Sequence, residues 1–124
     1  MKEIKENEIM KFIDYYHHFH DSNIIELKKE NDFIELKLFV FWSGKPIINE
    51  DKLINTNKTE IKIIFKDINN FNYNENILYD EINNISIKNI KINENNYIEF
   101  ILYDMMNDII INITSSNITY EEIK

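Results

Sequence analysis

Cysteine, alanine, arginine and glutamine are absent from this chain of 124 residues, and glycine and proline occur once each, as Gly44 and Pro46. Without cysteine there is no disulfide framework and no thiolate chemistry. Without a glycine-rich loop there is no phosphate cradle of the nucleotide-binding kind, and no nucleophile elbow is present. All 14 basic residues are lysine and the net charge is −8. Nucleic-acid binding leans on basic patches and on the arginine fork, so this composition argues against a nucleic-acid partner. No apolar run approaches the ~18 residues that a membrane-spanning helix requires. The N-terminal Met1–Glu8 segment is charged with no apolar run behind it, which is not the pattern of a secretory signal. The expectation is a single cytoplasmic domain over 1–124 with no membrane partner and no cofactor.

What is abundant is isoleucine, asparagine and lysine, all with A/T-rich codons, so part of the composition reflects coding bias. The pairs Asn69-Asn70, Asn83-Asn84 and Asn95-Asn96 are separated by periodic isoleucine-rich segments and read as loop filler. With one glycine available, tight turns must rely on Asn and Asp, which tolerate positive φ better than other residues.

The organising stretch is Phe33 to Trp42. Side chains on a strand alternate between faces. Ile34, Leu36, Leu38, Val40 and Trp42 share a wholly apolar face. Phe33, Glu35, Lys37, Phe39 and Phe41 share a face that is polar in the middle and aromatic at its far end. This predicts a central strand with one face in the core and Trp42 largely buried.

Before it, Ile9, Phe12, Ile13, Tyr16 and Phe19 form one stripe at spacings of three and four, which predicts an amphipathic helix over Glu6–Phe19. Acidic residues near its start and His17, His18 and His20 at its end suit the helix dipole. Ile24 to Glu30 reads as a strand with Ile25 and Leu27 inward, joined through Asn31-Asp32 to the central strand as a hairpin. Ser43 to Asn57 reads as a long irregular loop. Thr59 to Lys66 is a strand, continued in pattern by Ile68, Phe71 and Tyr73. Residues 76–81 are ambiguous between a short strand and a loop. Ile85 to Ile92 is a strand whose phase slips between Ile87 and Ile90, predicting a bulge near Lys88-Asn89. Tyr97–Tyr103, Asp108–Thr114 and Ile118–Ile123 read as three strands of a meander, turning at Asp104–Asn107 and at Ser115-Ser116-Asn117. The predicted fold is α+β and mostly β: one N-terminal amphipathic helix packed on a bent antiparallel sheet or sandwich of about seven or eight strands.

Residues with chemical capacity are few. On a helix His17, His20 and Asp21 could point one way, and two imidazoles with a carboxylate can bind a metal. No second Cys/His cluster follows, and helix-end chemistry already accounts for the histidines. A small metal- or ligand-binding domain using this cluster, or an orphan structural domain of unknown role, is therefore the alternative reading, and the favoured one assigns no metal. Carboxylate pairs such as Glu50-Asp51, Asp80-Glu81 and Glu121-Glu122 carry no specific signal without unlike environments. No catalytic residues are assigned. The aromatic edge Phe41-Trp42 beside the loop with Glu50 and Asp51, and the acidic segment with Tyr79, Asp80 and Glu81, are the candidate partner-binding residues, because aromatics with a charged rim resemble an interface.

The order of elements resembles the immunity protein 50 family of small bacterial toxin-immunity proteins. The matching pattern runs from the helix through Phe19-His20-Asp21-Ser22-x-Ile24 to the aromatic-ended hairpin. It continues through Ile61-x-Ile63-Ile64-Phe65-x-x-Ile68-x-x-Phe71 and Ile85-x-Ile87 to Ile118-x-x-x-Glu122-Ile123. These positions span nearly the whole chain and are mostly hydrophobic strand residues. The resemblance implies a protein that neutralises a cognate toxin by direct binding, without catalysis. An acidic inhibitor would suit a basic toxin domain.

Overall fold

The computed structural model describes residues 1–40, 47–49, 52–54, 59–74 and 81–123. The chain opens with β1 (Lys2–Glu3), a 3-10 turn over Glu6–Glu8, the helix α1 (Ile9–Tyr15) and a second short turn over His17–Phe19. Strands follow as β2 (Asn23–Lys29), β3 (Phe33–Val40), β4 (Ile47–Asn49), β5 (Lys52–Ile54) and β6 (Thr59–Tyr73). The last three are β7 (Ile82–Ile92), β8 (Asn95–Asp104) and β9 (Ile109–Ile123). Seven strands make one antiparallel sheet in the order β2-β3-β6-β9-β8-β7, with β1 on the outer part of β9, and β4 and β5 pair separately. The protein is α+β and mostly β, with the one α-helix among the described residues packed on a curled sheet. No described helix is long and apolar enough to cross a membrane.

The alternation in β3 does what strand geometry requires. Ile34, Leu36, Leu38 and Val40 are at most 1% exposed, while Glu35, Lys37 and Phe39 are half-buried on the other face. The inward residues meet their counterparts on β6 in register, Ile34 opposite Phe65, Leu36 opposite Ile63 and Leu38 opposite Ile61. Burying each such side chain stabilises the fold by roughly 1.5–3 kcal/mol, and these cross-strand pairs form the middle of the core. On the opposite face Lys62 lies between Glu35 (3.7 Å) and Glu121 (3.5 Å), tying β3, β6 and β9 together. Partly exposed pairs of this kind contribute little each.

Turn chemistry compensates for the missing glycine. Asn93 and Glu94 both take positive φ (49° and 68°) between Ile92 and Asn95, the backbone that a two-residue hairpin demands. Between β8 and β9 the Asp104 carboxylate accepts the backbone N–H groups of Met106 (2.9 Å) and Asp108 (3.0 Å). Asn31-Asp32 connects β2 to β3 as expected, with the Glu30 N–H bonded to the Phe33 carbonyl.

Five local expectations are corrected. The helix does not run to Phe19. It ends at Tyr15, and His17, His18 and Phe19 adopt positive φ (50°, 58° and 56°), a left-handed turn. That reversal buries Phe19 completely, stacked on Tyr16 and against Phe12, where a continued helix would have carried it onward along the stripe. In β2 the inward residues are Ile24 and Leu27, not Ile25 and Leu27, because a register irregularity between Ile24 and Glu26 shifts the phase. The bulge in β7 lies between Ile82 and Asn84, while Lys88 and Asn89 stay in register with Glu99 and Ile98. Ile90 simply sits on the other face from Ile87, opposite Tyr97. The segment Ser43–Asn57 is not wholly irregular, since β4 and β5 pair within it.

The fifth correction matters most for the topology. Ser115-Ser116-Asn117 is no turn, so β9 is one strand of 15 residues rather than two. The fully buried Ser115 hydroxyl donates to the Lys66 carbonyl and accepts the Asn117 N–H (3.2 Å). Opposite Ser116, Asp67 takes φ 52° and accepts the Ser116 hydroxyl at 3.2 Å. Turn-forming residues here absorb an irregularity shared by two long strands, β6 and β9, on which both halves of the sheet hang. The sheet curls until its outermost strands touch at one end: Asn23 bridges Glu81, and Ile82 bonds to both Asp21 and Ser22.

Candidate protein-binding groove

The helix leaves Ile9, Phe12 and Ile13 buried and turns Tyr15 outward. β1 lies antiparallel on the last part of β9, with Lys2 opposite Tyr120, and the Ile4 N–H donates to the Ile118 carbonyl at 2.8 Å. Between these elements β9 presents Ile118, Tyr120 and Glu122 on one face, by strand alternation. Ile118 is buried in the core, Tyr120 is half-buried with its ring 4.7 Å from that of Phe12, and Glu122 reaches the Tyr16 hydroxyl. The core face thus passes from aliphatic to aromatic to acidic as it emerges at the end of the sheet.

A groove opens there. One part, about 460 Å³, is lined by Tyr15, Tyr16, Tyr120, Glu121 and Glu122 with Met1 and Lys2. An adjoining part of about 290 Å³ shares the three tyrosines and adds Glu8, Lys11 and the buried Ile4 and Phe12. Tyr15 meets Tyr16 edge-on at 4.8 Å, and Tyr16 meets Tyr120 edge-on at 6.3 Å. Edge-to-face contacts of this kind are the favoured aromatic geometry, so the rings hold one another in place.

Tyr16 is 2% exposed, and its hydroxyl donates to Glu122 Oε1 at 2.9 Å. Burial raises its pKa above the ordinary phenol value, and the hydrogen bond to Glu122 and the charge of that carboxylate raise it further. Tyr120 is also raised, by burial first and then by the charges of Glu8 and Glu122. Both shifts carry the phenols away from the neutral range where a general base titrates. At physiological pH the groove offers aromatic faces, hydroxyl donors and carboxylate acceptors, a set suited to binding.

The residues singled out from sequence are placed differently. Phe41, Trp42, Glu50, Asp51, Tyr79 and Asp80 lie outside the described residues. Glu81 is exposed and is placed by its bridge to Asn23, away from the tyrosine groove in the sheet pairing. The histidines do not follow helical spacing, because the chain leaves the helix before them. His18 Nε2 lies 3.6 Å from Asp14. His20 Nδ1 donates to the Asn83 carbonyl at 3.1 Å, leaving Nε2 3.4 Å from Asp21. Among the described residues no three His, Cys, Asp or Glu side chains form a group able to hold a metal ion.

Nothing local in the sequence marks Tyr15, Tyr16, Tyr120 and Glu122 as groove residues. Tyr16 reads as one more member of the helical stripe, and Glu121-Glu122 as one carboxylate pair among several. The available signal was the period-two series Ile118-x-Tyr120-x-Glu122, grading from apolar to acidic. The chain matches no protein-family model and no curated protein.

Proposed function

We propose that this chain is a non-enzymatic cytoplasmic binding protein, an immunity protein that neutralises a cognate bacterial toxin by direct protein–protein contact. The observation that carries the reading is the groove at the junction of α1, β1 and β9. It presents Tyr15 and Tyr120, each held edge-on by the buried Tyr16, within a rim of carboxylates and two lysines on a molecule of net charge −8. Tyrosine anchors surrounded by polar groups are the composition of binding hot spots. The element order resembling the immunity protein 50 family supports the same reading. A toxin that cleaves nucleic acid would be basic, and an acidic inhibitor would attract it over a distance. Such steering raises association rates by about 10 to 10³ and weakens as salt rises.

The test is a binding assay with the product of the adjacent reading frame, run at low and high salt, together with growth rescue of cells expressing that product. The expected result is a tight complex whose association slows with salt, and rescue. No complex at low salt and no rescue would refute the reading.

A further inference from the structure

Building on the reading of the chain as a protein-binding domain, we infer that the tyrosine groove takes the guanidinium group of an arginine projecting from a basic partner protein. The groove offers the two things a guanidinium uses: aromatic faces to stack on and carboxylates to receive its N–H fork. Exposed Tyr15 and half-buried Tyr120 supply the rings, and the buried Tyr16 holds both edge-on from beneath. Glu122 accepts one hydroxyl, from Tyr16, and an ionised carboxylate has capacity for several further donors.

The surrounding charges decide which carboxylates are available. Glu121 is tied to Lys62 at 3.5 Å. Among the described residues Glu8 and Glu122 have no cation within ion-pair distance, and both act on Tyr120, which lies in the groove with them. Lys2 and Lys11 border the same groove, and Glu3 borders its smaller part. Local charge is therefore mixed, and the excess that attracts a cation comes from the whole molecule at −8. Mixed local charge disfavours a bare ammonium, a strongly hydrated point charge. The more weakly hydrated guanidinium gains by stacking and by directional hydrogen bonds. The chain has no arginine of its own to compete for the groove.

The experiment follows the tyrosine ring signals of the full chain by NMR while N-acetyl-arginine N-methylamide is added. The equivalent citrulline and lysine amides are the controls. The arginine probe should give saturable shifts at Tyr15 and Tyr120, with the citrulline and lysine probes about tenfold weaker. Glu122→Gln retains an acceptor for the Tyr16 hydroxyl, and Tyr15 is exposed, so both Glu122→Gln and Tyr15→Ala should fold. Each should weaken the arginine probe by about tenfold. Citrulline or lysine binding as tightly as arginine, no saturation with arginine, or binding unaffected by both variants would overturn the inference. A toxin complex that forms with no response to the arginine probe refutes the guanidinium site alone. A saturable arginine response without any toxin complex supports the site and refutes the immunity reading alone.

Discussion

Raising the pH tests the buried Tyr16–Glu122 contact, because its contribution to stability should disappear in a defined window. Tyr16 is 2% exposed and its pKa is raised in the folded protein, whereas in the unfolded chain it ionises near the ordinary value of about 10. Below that value both states keep the proton and the contribution is complete. Above it the unfolded state loses the proton first, so it binds fewer protons than the native state and stability falls with pH. Linkage gives a loss of about 1.4 kcal/mol from Tyr16 between pH 9 and pH 11. Tyr16→Phe removes both the proton and the 2.9 Å bond to Glu122. A hydrogen bond to a charged group contributes about 1.5 kcal/mol at the low end, appropriate because Glu122 is half-buried and water can replace the phenol. The stability gap between wild type and Tyr16→Phe should therefore shrink from about 1.5 kcal/mol at pH 9 to near zero at pH 11. The other tyrosines are common to both proteins and cancel. Urea titrations of both proteins at the two pH values measure the gap. A gap that stays constant would mean Tyr16 ionises alike in both states, and the buried contact would be refuted.

Two further substitutions probe backbone features. His18 is exposed at φ 58°, a conformation that costs a residue with a Cβ roughly 1–2 kcal/mol and costs glycine nothing. His18→Gly should raise stability by about 0.5–1 kcal/mol, after the extra freedom of glycine in the unfolded chain is allowed for. A lower urea midpoint would contradict the left-handed turn. Ser115→Ala strands the Lys66 carbonyl and the Asn117 N–H beside a fully buried position, and should destabilise by about 1–3 kcal/mol. An unchanged midpoint would show that the hydroxyl does not hold the irregularity between β6 and β9.

The parts of the fold legible in the sequence are those set by local periodicity. Phe33–Val40 announces itself by strict alternation, and Ile61, Ile63 and Phe65 supply the matching face. The hairpin at Asn31-Asp32 and the turn at Asp104–Asn107 were legible because their residues satisfy turn backbone locally. What was not legible depends on distant partners. Ser115-Ser116-Asn117 has turn composition, yet Lys66 and Asp67 across the sheet keep it in a strand. The apolar stripe read from the sequence includes Phe19, but packing on Tyr16 and Phe12 recruits that residue by reversing the chain after α1 ends. The groove escaped for the same reason: the bond between Tyr16 and Glu122 joins residues 106 positions apart.

The most direct test of the central claim is amide hydrogen exchange on the complex with the product of the adjacent reading frame, compared with the free protein. Binding through the tyrosine groove predicts new protection in β1, in α1 around Tyr15 and in the Tyr120–Glu122 end of β9, lost when Tyr15→Ala and Glu122→Gln are combined. A complex that protects other surfaces and leaves these three segments unchanged would contradict the account.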